Sequence, residues 1–379
     1  MRFNPFMCLV RSMLWMVGIG LVTLLLASNM TARFDTALYD LNQRYWHYTP
    51  DSNVVIVAID PKSLAELGRW PWPRSIHAHL LDHLTAAGVR GIGMDVTMSA
   101  AETDHPENDQ MLVQAIRHSG KVVMPMFAEA TDLGGPLGET LPLPMVAQSV
   151  AGIGHVDVAK DADGLARGAY LTSGLGQPYW PSLALALYEL EHPLHPEQLP
   201  GLRDPATDDA SPYLWMRDHY VMLRYAGPAG SFGRVSYADV IDGSVPAALL
   251  KGHWVLVGAT AEGMEDILQT PEGLMPGVEY QANVLESLQN GSLVTPLSFL
   301  GQFMLGGAVL MLPLLVYGLP GLHRMWRAAL ASAVFVLALS LCLLRVFYLW
   351  WPPVGCLLIM GFGFGGWSLF ALRQRQASN

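Results

Sequence analysis

Four long stretches of this chain carry no charge, and they constrain everything between them. Ser12 to Ser28 is uncharged over seventeen residues, Phe299 to Leu319 over twenty-one, Ala328 to Leu344 over seventeen and Trp350 to Leu372 over twenty-three. Each rivals the ~20 apolar residues that carry a helix through a ~30 Å hydrocarbon core. The expected layout is one N-terminal and three C-terminal membrane helices, at residues 12–30, 298–319, 328–346 and 350–372. Residues 31–297 then form a large domain between the first and second helices.

Arginines set the orientation. Arg2 and Arg11 precede the first stretch, Arg324 and Arg327 separate the second from the third, and Arg373 and Arg375 follow the fourth. Basic residues near segment ends favour the cytoplasmic side. The expected cytoplasmic parts are therefore residues 1–11 and 373–379 and the Arg324–Arg327 loop, with residues 31–297 and the short Arg345–Trp351 turn outside. Tyr348, Trp350 and Trp351 suit an aromatic belt at the outer interface. Two alternatives stay open. The first stretch has the basic start and small terminal residues of a cleaved signal peptide, although its apolar run exceeds the usual ~7–15 residues. The third and fourth stretches, tied by Pro352 and Pro353, also suit a re-entrant hairpin.

Charge separates the domain from its anchors. Only 14% of residues are charged, against ~25% in an average soluble protein. All 32 acidic residues lie between Asp35 and Glu286, with only 14 of the 22 Lys and Arg, a net of −18. Such a domain lacks the positive footprint that a phosphate backbone requires, so no nucleic-acid partner is expected. The cysteines, Cys8, Cys342 and Cys356, all lie in or beside apolar stretches. The domain therefore has neither a disulfide nor a thiolate metal site.

Within the domain, apolar runs alternate with helical periodicity. VVIVAI from Val54, GIGMDV from Gly91, VVMPMF from Val122 and WVLVG from Trp254 read as buried strands. Ser75–Ala87, closed by Gly88, and Asp109–Ser119, capped by Asn108 or Asp109, read as helices, as do Trp180–Glu191 and Val278–Gln289. Apolar strands joined by such helices predict an α/β domain with a mainly parallel sheet covered on both faces. The Asp-Gly of DADG predicts a hairpin between GHVDV and ARGAYLT. A second hairpin is expected from Leu214–Met216 and Val221–Tyr225. The loosest stretches are Leu133–Pro144 and Glu191–Ser211.

Open parallel sheets bind ligands beyond the carboxyl ends of their strands. Asp60 ends the first strand, Asp95 nearly ends the second, and Thr260 and Asp266 follow WVLVG. The segment GRWPWPR adds Arg69, Trp70, Trp72 and Arg74, and Arg167 follows the Asp-Gly turn. A rim with carboxylates and guanidiniums suits a zwitterion or small polar metabolite. The competing reading is a structural ion-pair network that fixes loops. His77, His79, His83 and Asp82 share one helix, but the pattern departs from both metalloprotease helices and reads as a solvated flank. DADG opens like a calcium loop without its twelfth-position Glu. No G-x-S-x-G, H-E-x-x-H, P-loop or C-x-x-C occurs. No catalytic residue, metal or cofactor is therefore assigned.

Taken in order, FDTALYDL, VVIVAIDPKSLAELGRWPWPR, HAHLLDHLTAAGVRGIGMDV, GHVDVAKDADGLAR, VSYADVIDG, WVLVGATAEGMEDILQTP and MPGVEYQANVLESL resemble the CHASE2 family over residues 32–295. The resemblance implies an extracytoplasmic sensory domain of a multi-pass receptor in the bacterial inner membrane, in contact with lipid and acting as a sensor rather than an enzyme. Such domains usually precede a cytoplasmic histidine kinase, Ser/Thr kinase, adenylate or diguanylate cyclase, or phosphodiesterase. Two-component or cyclic-nucleotide signalling is thus expected. The chain ends in RQRQASN with no such signature, so the expected effector is either cut away or a separate partner. The stimulus would be an extracytoplasmic small molecule or protein. Gly301, Gly306, Gly307, Gly361, Gly363, Gly365 and Gly366 would permit close helix contact in a homodimer, or simple packing within one chain. An anchored extracytoplasmic enzyme and an envelope assembly protein are the rival functions.

Overall fold

The computed structural model describes residues 5–51, 53–130, 137–204, 211–264, 266–312 and 322–377. The chain divides into two units, residues 43–293 and the flanking segments 1–42 with 294–379. In chain order, α1 (Pro5–Ala27) and α2 (Ala32–Gln43) lead to the larger unit. It starts with β1 (Val54–Ile59), α3 (Pro61–Leu67), α4 (Arg74–Ala87), β2 (Gly91–Met94), α5 (Pro106–Ser119) and β3 (Val122–Ala130). Then come β4 (Leu137–Thr140), α6 (Pro144–Ala147), β5 (Gly152–His155), β6 (Ala159–Lys160), β7 (Ala166–Leu175), β8 (Trp180–Pro181) and α7 (Leu183–Tyr188). It closes with β9 (Trp215–Met222), β10 (Gly233–Ser236), α8 (Tyr237–Ile241), β11 (Trp254–Ala259), β12 (Ile267–Thr270), β13 (Gly273–Pro276) and α9 (Gly277–Gln289).

The apolar runs assemble as their composition dictates. Strands β10, β1, β11, β2, β3 and β5 lie parallel in that order, and β4 adds antiparallel to the far half of β3. The central pair runs from Val54 opposite Trp254 to Ile59 opposite Ala259. Every residue of β1 is buried, as expected of a strand covered on both faces. On one face Val57 and Val257 pack with Leu81 and Leu84 of α4, Leu112 and Ile116 of α5 and Val240 of α8. On the other, Ile56 and Leu256 share a core with Leu185 of α7 and Ala282 and Leu285 of α9. Helix α4 ends where Gly88 turns left-handed at φ +76°, its N–H returning to Leu84 and Thr85. Glycine adopts that conformation without steric cost.

A second, antiparallel sheet joins β6 and β8 to β7, with β9 also on β7. Its Leu171 and Val221 belong to the same core as α9. Helix α9 is consequently buried from Gly277 to Leu288, polar residues included. Its Glu279 accepts hydrogen bonds from the N–H groups of Gly230 at 2.8 Å and Ser231 at 3.0 Å and from Arg234 Nη2 at 2.9 Å. Asn283 Oδ1 accepts from Ala226 N at 2.9 Å. Buried polar groups need such partners, and here they bind the 226–234 loop to the helix.

In the smaller unit, β14 (Thr295–Pro296), α10 (Phe299–Val309), α11 (Leu322–Phe347), β15 (Leu349–Trp350) and α12 (Val354–Ala377) join α1 and α2. Val22, Val309, Val336, Trp351, Cys356 and Met360 form its core. Among the described residues, Trp326–Phe347 is one helical segment long and apolar enough to cross a membrane. Ser12–Ala27 and Ala32–Gln43 pass only as a pair bent by 77°, and the apolar helices Phe299–Val309 and Val354–Gly366 are shorter. Residues 313–319 of the second predicted stretch lie outside the described residues.

Several expected elements differ. The stretch read as a hairpin at Leu214–Tyr225 is the single strand β9, in which His219 takes φ +54°. Asp218 accepts from the N–H groups of Asp204 and His219, both at 2.8 Å, which accommodates polar residues within the strand. GHVDV does not pair with ARGAYLT. Its Gly154 and His155 end β5, in the parallel sheet beside β3, and the Asp-Gly turn connects β6 to β7. The helix expected from Trp180 begins at Leu183, because Ser182 caps it by accepting from Leu185 N. Helix α5 starts at Pro106, since the Asp109 carboxylate accepts from Glu102 N at 3.0 Å instead of capping its own helix. The fourth apolar stretch becomes helical only at Val354. Trp350 pairs through β15 with β14, and its ring meets Tyr39 edge-on at 5.2 Å. Trp350 and Trp351 are buried in protein, which corrects the aromatic-belt expectation.

Candidate functional site

The carboxyl ends of β1, β2 and β11 carry the acids noted in the sequence. Asp60 follows β1 and caps α3, accepting from Ser63 N at 2.8 Å, Ser63 Oγ at 2.6 Å and Ser236 Oγ at 2.9 Å. Burial pushes its pKa up, but these hydrogen bonds outweigh it and hold the carboxylate below its usual range. Asp60 thus ties α3 to the start of α8. Asp95 lies one residue past β2 and Asp266 one residue before β12. Burial and the nearby charge of Asp266 push Asp95 well above the carboxylate range, and burial raises Asp266 as well. Like charges in a desolvated place disfavour double ionisation. Backbone geometry holds the pair in position. A Cβ on Gly277 would fall 2.3 Å from Asp266 Oδ1, and one on Gly258 would fall 3.3 Å from Asp95 Cβ.

The GRWPWPR segment supplies a cleft and the packing behind it. Helix α3 stops at Gly68, whose φ of +89° suits glycine, and Trp72 Nε1 donates to Gly68 O at 2.9 Å. Trp72 is 2% exposed and packs on Tyr237 at 4.8 Å. His77 is also buried, correcting its assignment to a solvated flank, whereas His79 and His83 are exposed. Its Nδ1 is 2.7 Å from Tyr237 Oη. Burial, with the charge of Arg74, pushes its pKa down to about 3, so the ring is neutral. Trp70 stacks edge-on against both Trp72 and His77, at 5.1 and 5.8 Å. This aromatic backing fixes Trp70 at a cavity of about 500 Å³ lined by Leu64, Gly68, Arg69, Trp70, Gly263 and Met264. Arg69 is exposed there and has no ion pair among the described residues.

The charged and tryptophan residues singled out in sequence therefore do not converge. Arg69 and Trp70 line the cleft and Trp72 supports it from the core. Asp95 and Asp266 form a separate acid pair, and Asp60 is a helix cap. Arg74 braces the 100–109 region through Ala100 O at 3.2 Å and a 3.9 Å approach to Asp109. Arg167 is 2% exposed and sits in the antiparallel sheet, paired with Asp161 at 2.7 Å and Asp163 at 2.8 Å. Sequence reasoning missed Leu64, Gly263 and Met264, which no local pattern distinguishes. It also missed a second cavity, of about 560 Å³, beside β6 and β9. Among the described residues no cluster of three or more His, Cys, Asp or Glu could hold a metal ion.

The family model described as the CHASE2 domain matches residues 16–319, most of the chain. The chain belongs to the CHASE2 family. CHASE2 domains are extracellular sensory domains of signalling receptors. The match spans the entire larger unit and reaches into the apolar segments on both sides of it in sequence. Comparison with curated proteins and with solved structures found no match. The sensory assignment therefore rests on the family match.

Proposed function

We infer that this CHASE2 protein is the membrane-embedded input module of a bacterial receptor. It senses an extracytoplasmic stimulus and relays it to a cytoplasmic kinase, cyclase or phosphodiesterase, in the same receptor or as a separate partner. The observation that carries this reading is the family match across a domain bounded in sequence by apolar helices. Four membrane segments, with residues 31–297 on the outer side, are the topology that the arginine pattern supports. Surface composition supports lipid contact. Met16, Leu24, Leu330, Val334 and Phe362 are all more than half exposed in the smaller unit, which water would penalise and acyl chains would not.

The carboxyl-edge cleft is the proposed stimulus site. Arg69 offers an exposed guanidinium, Trp70 a held aromatic surface, and Leu64 and Met264 apolar walls. This set suits a small polar metabolite with an anionic group. Relay requires that the ligand bind two conformations differently, and it shifts them by no more than that difference. Buried from Gly277 to Leu288, α9 is the element through which such a shift would travel to the segment that leaves the domain. Pairing of two chains through glycine-bearing helices is part of the proposal. Gly306 and Gly307 already pack closely within one chain, near Val22, Cys356 and Ile19, so Gly361, Gly365 and Gly366 are the better candidates.

The test is a chimaera of the chain with a diguanylate cyclase output, assayed for cyclic dinucleotide while cells are exposed to fractionated medium. A response abolished by Arg69→Ala and by Trp70→Ala supports the cleft and the relay together. A response that both variants leave intact removes the cleft but keeps the sensor. Turnover of a medium component by the purified chain would replace the sensor with an enzyme.

A further inference from the structure

The second cavity has the chemistry of a ligand site in its own right. It lies where the far end of β3 and the start of β4 approach the antiparallel sheet, and it measures about 560 Å³. Pockets of ~300–1,000 Å³ accommodate small organic ligands. Phe127, Tyr170 and Trp215 contribute aromatic surface, and Lys160, Arg217 and Asp157 contribute charge. Asp157 accepts from Trp215 Nε1 at 2.9 Å and from Arg217 Nη2 at 3.1 Å, with Arg217 Nε also donating to it. Burial raises the Asp157 pKa, but Arg217 and Trp215 outweigh it and keep the group ionised. The guanidinium is thereby fixed, 5.8 Å from the centre of the Tyr170 ring. Lys160 is exposed and has no salt bridge among the described residues. With Asp157 neutralising Arg217, the described lining keeps one positive charge in a domain whose net charge is strongly negative.

We propose that this cavity binds a small organic monoanion with a flat apolar body, such as an aromatic carboxylate, with Lys160 as its charge partner. A cation beside aromatic walls selects this class. The rings take the apolar body, and the ammonium takes a carboxylate in a charge-assisted hydrogen bond. A cationic ligand would meet Lys160 and Arg217, and a dianion would find its second charge unmatched. Leu268 of β12 also lines the cavity. Strand β12 pairs with β13, which runs directly into α9. A ligand wedged against Leu268 therefore acts on the hairpin that begins at Ile267 and on the helix that follows it. This site is independent of the Arg69–Trp70 cleft and does not rest on the relay described above.

The test is direct binding to the full chain in nanodiscs, measured by calorimetry and saturation-transfer NMR. The probes are benzoate, cyclohexanecarboxylate, neutral benzamide and cationic benzylamine. Saturable benzoate binding in the micromolar-to-millimolar range is expected, with benzamide and benzylamine weaker by roughly tenfold or more. Lys160→Gln, a surface change, should weaken benzoate by a similar factor and leave benzamide unaltered. Arg69→Ala should change neither. Absence of saturable binding by both carboxylates at millimolar concentration overturns the proposal, as does benzoate binding indifferent to Lys160→Gln. Loss of benzoate binding in Arg69→Ala would move the site to the cleft and also overturn it. No output is read in this assay, so its failure leaves the receptor reading untouched.

Discussion

Replacing Asp95 by Asn should stabilise the protein at alkaline pH and do little at acid pH. Asn keeps the shape and a donor, but it cannot ionise. In the folded state Asp95 is raised well above its unfolded value of 3.8 by burial and by Asp266. The folded protein therefore binds more protons at this position than the unfolded chain does. Stability from the protonated pair is fully present below the unfolded value and is lost as pH rises through the raised one. A tenfold change in proton affinity between the unfolded and folded states corresponds to about 1.4 kcal/mol. Asp95 retains partial exposure, and the solvent it meets screens part of this effect. The expected gain for Asp95→Asn is about 1–3 kcal/mol near pH 8.5 and close to none near pH 3, below the unfolded value. For a domain of this size that is a rise in Tm of about 3–10 °C. The assay is thermal unfolding of the full chain in nanodiscs, followed by near-UV circular dichroism at both pH values. An Asn variant equally destabilised at both would refute the acid-pair argument.

Three further outcomes follow from the packing. Glu279→Ala leaves Arg234 and the Gly230 and Ser231 N–H groups without their carboxylate and should cost about 3–5 kcal/mol; denaturant titration reads it, and a loss under 1 kcal/mol would contradict the buried anchor. Trp72→Ala should cost about 3–5 kcal/mol by opening the core, whereas Arg69→Ala, at an exposed side chain, should stay within about 0.5 kcal/mol. Equal costs for those two would mean that the loop is not divided between core and cleft as described. His77→Phe should lose the bond to Tyr237 Oη at a cost of about 1–3 kcal/mol at pH 8; the cost should shrink toward pH 5, where the unfolded histidine takes up a proton that the buried ring refuses, and denaturant titrations giving the same cost at both pH values would contradict the burial of a neutral ring.

The parallel sheet was legible because its strands are apolar on both faces. VVIVAI became β1 residue for residue, and Gly88 closed α4 where expected. The antiparallel sheet was less legible. Strand β9 carries Arg217, Asp218 and His219 in its middle, and those residues look like a turn until Asp218 is seen to accept the local N–H groups. Short elements such as α3, α8 and the β12–β13 hairpin hold too few residues to show a period. The site was legible in part. Arg69 and Trp70 stood out by type and by their position after a strand. Arg167 looked equivalent in sequence, yet two aspartates in its own turn consume its charge. The pairing of Asp157 with Arg217 spans sixty residues and depends on how β9 is placed beside β7, which no local pattern encodes.

The central claim is that the acidic α/β domain lies outside the cytoplasm. The domain has no cysteine of its own, so a single reporter thiol suffices. Ala162 is exposed in the turn between β6 and β7, and Ala162→Cys would be placed in a chain whose Cys8, Cys342 and Cys356 are alanine. A membrane-impermeant maleimide is expected to label this thiol in cells whose inner membrane is intact. Labelling that appears only after the inner membrane is broken would contradict it.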